Sequence, residues 1–219
     1  MAKALALLSG GPDSATLMKW ARGQADITEL HALYLKGGHV TDPREIECAD
    51  FQAHDNSVKL EIIDISQLVA GLGGQRILVH SEATIMPFGN AIVLSLSTTY
   101  ALLIGADRVL IGLHKDDADE SAEYTRAFID RLQDLTQSVH PGITYVTPFI
   151  ELRKAAVIAE GGRLGVDFAK TWSCIRPESV HCGYCGACRS RAAAFQTAQL
   201  SDPTVYTQKP IALTSTGSH

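Results

Sequence analysis

Five short apolar runs recur along the chain, and segments long enough for a helix separate them. They span residues 3–8, 30–35, 59–65, 108–111 and 144–146. None has a helical period, so each reads as a buried strand. Residues 14–22, 42–57, 90–104, 121–139 and 152–159 read as helices, and an Ala-rich helix runs to about residue 199. Strands alternating with helices demand right-handed crossovers and a mostly parallel sheet. The fold class is therefore α/β: a Rossmann-like parallel five-stranded sheet with helices on both faces. In such sheets ligands bind outside the carboxyl ends of the strands. The loops after the first, second and fourth runs are thus the places to look for function.

Punctuation residues sharpen the reading. Asp42-Pro43 predicts a helix with Asp at the N-cap and Pro at the first helical position. The helix at 90–104 is apolar almost all round, which predicts burial on every side. Gly161-Gly162 is expected to end the helix begun at 152. Residues 71–89 hold Gly71, Gly73, Gly74, Pro87 and Gly89 without a clean period, and a loop of that length in a compact domain is usually functional. Arg76 within it could reach a phosphate. His31 reads as structural and His39, in the loop after the second strand, as a loop histidine with a nucleotide contact as the sharper alternative. Cys48 reads as a core residue.

With 219 residues, 46% hydrophobic and 20% charged, the chain can bury a substantial core, which excludes wholesale disorder. The expected division is a nucleotide-binding domain at 1–170, a metal-binding loop and C-terminal helix at 171–200, and a flexible tail at 201–219. A formal net charge of -5 argues against a broad nucleic-acid surface. No apolar run reaches the roughly 18–20 residues of a membrane span. The start lacks the features of a signal peptide, so a cytoplasmic protein is expected.

The first run ends in Ser9-Gly10-Gly11-Pro12-Asp13-Ser14, and a helix follows. Two glycines let a backbone approach a bulky anion. The N–H groups of a helix N-terminus then point at it. Ser9 and Ser14 add hydroxyls, while Asp13 can cap the helix or hold a Mg²⁺ that bridges phosphates. The loop is neither a Walker A sequence nor a dinucleotide fingerprint.

Four of the five cysteines form Cys174-x7-Cys182-x2-Cys185-x2-Cys188. Four soft ligands at this spacing suit one tetrahedral Zn²⁺ with no position left for water, hence a structural ion. An iron–sulfur cluster is the weaker alternative. The run His114-Lys115-Asp116-Asp117, continuing to Asp119 and Glu120, follows the fourth strand on the ligand side. Asp117 and Asp119 are its candidates for holding Mg²⁺ or substrate.

Ser-Gly-Gly-x-Asp-Ser after a first strand resembles the PP-loop ATPases, or adenine nucleotide α-hydrolases. Joined to the cysteine spacing, it resembles the QueC family of queuosine biosynthesis over about residues 3–199. Pro87-Phe88-Gly89-Asn90, Thr147-Pro148 with Lys154, and Trp172-Ser173-Cys174 are similar to further stretches of that family. Three positions depart from it. Gly89 stands where Arg is usual, Ile175 where Tyr is frequent, and residues 121–125 replace a Tyr-Pro-Asp-Cys-Arg stretch.

The resemblance implies an ATP-binding stretch of Leu8, Ser9, Gly10, Gly11, Pro12, Asp13, Ser14, Ala15, Thr16, Leu17 and Met18. It implies Ser9, Asp13 and Ser14 as catalytic, with ATP, Mg²⁺ and a structural Zn²⁺ as cofactors. Phe88, Asn90, Asp117, Asp119, Lys154 and Trp172 are the candidates for the substrate pocket. The activity implied is an ATP-dependent ligase that converts 7-carboxy-7-deazaguanine and ammonia to 7-cyano-7-deazaguanine (preQ0). Alternatives are a QueC-like ligase that attaches the base to a partner protein in antiphage defence, and a tRNA-modifying enzyme. A homodimer is the expected assembly.

Overall fold

The computed structural model describes residues 1–72, 77–79, 83–85 and 88–211. Strands β1 (Ala2–Leu7), β2 (Ile27–Lys36) and β3 (Leu60–Asp64) alternate with helices α1 (Pro12–Arg22) and α2 (Asp42–Asp55). A short helix α3 (Ser66–Gly71) leads to β4 (Ile77–Val79) and β5 (Ala83–Ile85), whose backbones pair antiparallel. Then come α4 (Gly89–Ile104), β6 (Arg108–Leu110), α5 (Lys115–Ala118), α6 (Arg126–Val139), β7 (Thr144–Val146), α7 (Lys154–Arg163) and α8 (Gly186–Thr197). The main sheet has five strands in the order β3-β2-β1-β6-β7, all parallel. All five strands read from the sequence are present.

The chain winds outward from β1 through β2 to β3, then returns to build β6 and β7 on the other side. The order therefore reverses between β1 and β6. Loops leaving those two neighbours diverge to opposite faces and open a crevice. The Ser9–Ser14 turn and residues 111–114 border it.

Strand alternation sorts the core into two layers. Ala4 and Ala6 face Leu17, Met18 and Ala21 of α1 and Val157 of α7. Leu5, Leu33 and Val109 face Leu94 and Ala101 of α4 and Ile129 of α6. Small residues on the first face let α1 and α7 lie close. Gly161 is the extreme case: a Cβ there would collide with Thr16 Oγ1 and lie 2.6 Å from the Phe168 ring. Gly161 and Gly162 therefore do not end α7. It runs on to Arg163 because tertiary contact, not helix termination, demands the glycine.

Two further boundaries and the burial of one helix differ from the sequence reading. Thr41, not Asp42, is the N-cap of α2. The Asp42 carboxylate instead accepts the backbone N–H groups of Gly38 (2.8 Å) and His39 (3.0 Å), fixing the loop after β2. Residues 122–124 form a separate 3-10 turn, and Thr125 caps α6 by accepting Phe128 N–H at 3.2 Å. Helix α4 is not buried all round. Its polar Ser97 and Thr98 face inward, where Thr98 Oγ1 lies 2.6 Å from Tyr145 Oη, while Leu102 and Leu103 face out. No described helix is long and apolar enough to cross a membrane.

Candidate active site

The Ser9–Ser14 turn is tight for identifiable reasons. Gly10 has φ +75°, and a Cβ there would run into the Glu45 carbonyl of α2, so both conformation and space require glycine. Ser14 Oγ donates to Gly11 O at 3.0 Å and accepts Ser9 N–H at 3.3 Å, closing the turn on itself. Gln52 of α2, a buried side chain with no signal in the sequence, braces the same turn at 3.2 Å from Ser14 Oγ. Pro12 opens α1, where its missing N–H costs nothing.

Asp13 projects from this first helical turn. Its Oδ2 accepts Lys154 Nζ at 2.7 Å, and its Oδ1 lies 3.7 Å from His114 Nε2. Burial alone would raise the carboxyl pKa. The Lys154 ammonium, with His114, outweighs burial and holds it far below the usual range, while Asp13 keeps the Lys154 ammonium charged despite its own burial. Asp13 Oδ1 is shielded from solvent and has no hydrogen-bond partner. An anionic oxygen left bare in this way is a fit for a hard cation such as Mg²⁺.

His114 was not among the residues picked out individually in the run after the fourth strand. It is buried and N-caps α5: its Nδ1 accepts Asp117 N–H at 3.3 Å, and its own N–H donates to Asp117 Oδ2 at 2.9 Å. Its position just past the strand next to β1 is the signal that could have found it. Asp117 sits beside it, its pKa raised by burial.

Two cavities flank Asp13. The larger, about 470 Å³, opens over the ends of β1 and β2, with Leu8, Ser9, Tyr34, Leu35, His39 and Tyr124 among its walls. The smaller, about 330 Å³, lies on the other side under the cysteine loop, with Gly11, Lys154, Trp172, Ser173, Ile175 and Ser190 among its walls. Asp13, Asp117 and Glu120 line both. The first is apolar and aromatic enough for an adenosine; the second is the more polar of the two and holds the Lys154 ammonium.

Of the residues read as site candidates, the structure brings Leu8, Ser9, Gly11, Pro12, Asp13, Ser14, Asp117, Lys154 and Trp172 to these cavities, while Gly10 lines neither. Ala15, Thr16, Leu17 and Met18 are buried in α1; Leu17 and Met18 point into the core. Asp119 pairs with Arg153 on the surface. Phe88 is 66% exposed and Asn90 Nδ2 donates to the Glu123 carbonyl at 2.6 Å, and neither is among the walls of these two cavities. Asn90 thus touches residues 121–125, the stretch that departs from the family pattern. Arg76 and Pro87 lie outside the described residues. His31 pairs with Glu29 on the surface, and Cys48 is half-buried on α2, with burial pushing its thiol up to about 11.

The four C-terminal cysteines converge. Their sulfurs all lie within 4.8 Å of one another, Cys182 Sγ and Cys188 Sγ at 3.9 Å. Four thiolates at about 2.3 Å from a tetrahedral Zn²⁺ stand roughly 3.8 Å apart, so one ion fits. Backbone N–H groups of Cys182, Cys185 and Cys188 donate to the preceding ligand sulfurs at 3.3–3.4 Å. Trp172 ties this loop to the phosphate turn: its N–H donates to Gly10 O at 2.8 Å and its Nε1 to Cys174 O at 2.7 Å. Part of the stretch expected to be a loose tail returns over the loop, where Thr207 N–H donates to His181 O and Gln208 N–H to Cys182 O. Residues 212–219 lie outside the described residues.

Comparison with known proteins agrees with this arrangement. The chain is 36% identical to a 7-cyano-7-deazaguanine synthase of Methanospirillum hungatei, over 93% of this chain and 99% of that one. It is 31% identical to 7-cyano-7-deazaguanine synthase 1 of Colwellia psychrerythraea, over 93% and 98%. Among solved structures, the U34-tRNA thiolase NcsA of Methanococcus maripaludis, with its [4Fe-4S] cluster, shares the fold at TM-score 0.51. It is 20% identical, over 76% of this chain and 57% of that one. The family model described as "Queuosine biosynthesis protein QueC" matches residues 3–199, and the chain belongs to that family.

Proposed function

We propose that the protein is an ATP-dependent ligase that turns 7-carboxy-7-deazaguanine and ammonia into 7-cyano-7-deazaguanine. The observation that carries this reading is Asp13, held by Lys154 and His114 where an apolar cavity and a polar cavity meet. Adenosine belongs in the first cavity and the acid in the second. The α-phosphate then lies between them, beside Asp13.

The acid carboxylate attacks the α-phosphorus and pyrophosphate leaves. Ammonia adds to the activated carbonyl and AMP departs, giving the amide. A second adenylation, on the amide oxygen, lets AMP leave with the loss of protons to give the nitrile. Asp13 Oδ1, and Asp117 on the wall of the same cavities, would hold a Mg²⁺, which would neutralise charge on the phosphates. Lys154 keeps Asp13 ionised and lends positive charge to the leaving pyrophosphate. The N–H groups at the start of α1 donate to the same phosphates. Trp172 offers an aromatic wall for a flat base. No side-chain nucleophile is needed. Cys174, Cys182, Cys185 and Cys188 would hold a Zn²⁺ with all four ligand positions filled, so the ion would shape the loop over the second cavity and supply no chemistry to the reaction.

The test is incubation with ATP, Mg²⁺, ammonium and 7-carboxy-7-deazaguanine, read by mass spectrometry and phosphorus NMR. The expected result is the nitrile with AMP and pyrophosphate. ADP and phosphate would overturn the reading. An amide, or a base bound to a protein, would mark a ligase that stops early or hands the base to a partner. The homodimer stands with this proposal and is read by light scattering.

A further inference from the structure

Arg191, on α8, is the largest fully buried side chain among the described residues, at 0% exposure. It is not a metal ligand and touches neither cavity. Its guanidinium spends its donors on one stretch of backbone and side chains. Nη1 donates to Thr171 Oγ1 at 2.7 Å and Ser173 Oγ at 3.2 Å, and Nη2 to Phe168 O at 2.8 Å. Nε faces Asp202 Oδ1 at 3.4 Å. Asp202 in turn accepts Tyr206 Oη and Thr204 N–H, and Tyr206 sits against His181, whose ring lies 4.3 Å from that of Trp172.

A fully buried cation is costly unless its charge and donors are matched. Here the match comes from two places at once: the stretch 168–173 that carries Trp172 and Ser173, and the C-terminal strand of chain at 202–208. Both cavity-facing residues of that stretch, Trp172 and Ser173, wall the smaller cavity. Ser190, the neighbour of Arg191 on α8, walls it too. The larger cavity has no wall from this region. The guanidinium also lies near enough to Lys154 for its charge to oppose protonation there. It therefore adds to the positive field at Lys154, on the wall of the smaller cavity.

Resting on the assignment of the smaller cavity to the acid, we propose that Arg191 is a positioning residue for the acid substrate and not for ATP. The segment around Asp202 is the clamp that holds it. Residue 202 lies beyond the stretch the family model matches, which ends at 199.

The experiment compares wild type with Asp202→Asn and Arg191→Lys. It measures kcat, KM for 7-carboxy-7-deazaguanine and KM for ATP, and by calorimetry the binding of the acid and of α,β-methylene-ATP. Zinc content and melting temperature are followed alongside. Arg191→Lys keeps the charge and loses the planar fork. We expect KM for the acid to rise by about tenfold or more in both variants. KM for ATP and binding of the analogue should stay within about twofold, with one Zn²⁺ per chain retained. If Arg191→Lys fails to fold, Asp202→Asn, outside both cavities, decides alone. Acid and nucleotide constants moving together, or an unchanged acid constant in a folded Asp202→Asn, overturns the role of Arg191. Wild type that binds ATP but not the acid instead overturns the proposed activity, and this inference with it.

Discussion

Lys154→Met isolates the ion pair at the centre of the site. Methionine keeps the length and apolar stem of lysine and deletes the charge. The lost contact is the 2.7 Å bond from Nζ to Asp13 Oδ2, between side chains 16% and 19% exposed. Breaking a buried pair from one side costs about 3–5 kcal/mol, because a charge is left uncompensated. Some solvent access remains, and His114 still stands 3.7 Å from Oδ1, so about 2–3 kcal/mol is the better figure. For a chain of this length each kcal/mol moves Tm by about 2–4 °C, which gives a fall of about 4–12 °C. Asp13→Asn in the Lys154→Met background should recover much of it, since the orphaned charge is then gone. The pH dependence has a definite sign. Asp13 has a depressed pKa in the fold, so its contribution is complete above the unfolded carboxylate pKa and fades only as pH falls below about 4. Lys154 has a raised one, so its contribution persists until pH climbs through a value above the usual lysine range. The difference between wild type and Lys154→Met should therefore be largest from about neutral pH to pH 9 and shrink as pH falls, because without the ammonium burial raises the Asp13 pKa and protonation then removes the orphaned charge. Turnover should fall by about 10²–10³. Thermal and urea unfolding across pH, with pyrophosphate release, measures all of this. An unchanged Tm, or equal losses in the wild-type and Asp13→Asn backgrounds, would refute the coupling.

Metal removal should act on both stability and catalysis, because Trp172 joins the cysteine loop to Gly10. Cys185→Ser or strong chelation should release one Zn²⁺ per chain, lower Tm, shift Trp172 emission and depress turnover; metal analysis that finds iron would overturn the single-ion assignment. Gly161→Ala should destabilise by about 1–3 kcal/mol despite the better helix propensity of alanine, since its Cβ has no room between Thr16 and Phe168. A melting temperature at or above wild type would show that α1 and α7 can separate freely.

Much of this was legible in the chain. Apolar runs without helical period are local features, and all five became strands of one parallel sheet. The loop from Ser9 to Ser14 and the cysteine cluster were legible because each is contiguous or nearly so: ligand spacing and turn chemistry are written in neighbouring residues. Lys154 came from resemblance alone, and the structure puts its amine on Asp13, 141 positions away. Gln52, Arg191 and the individual role of His114 were not legible. Each acts on a residue distant in sequence, and no periodicity or spacing encodes such a meeting. The same limit misplaced Gly161. In sequence a Gly-Gly pair reads as a helix end; in the fold it is the gap through which α7 approaches α1.

What the sequence determined by itself was therefore the set of parts: an α/β sheet, a glycine turn after its first strand and a cluster of four cysteines. Hydrophobic pattern, glycine freedom and ligand chemistry act over a few residues and survive without a fold. What only the tertiary structure decided was their assembly. The sheet order reversed between β1 and β6 and opened the crevice there, which placed Asp13 between two cavities. The cysteine loop became the roof of one of them, because Trp172 bonds to Gly10 and Arg191 holds the stretch that carries it. Buried polar groups must find partners, and those partners exist only once distant segments pack together.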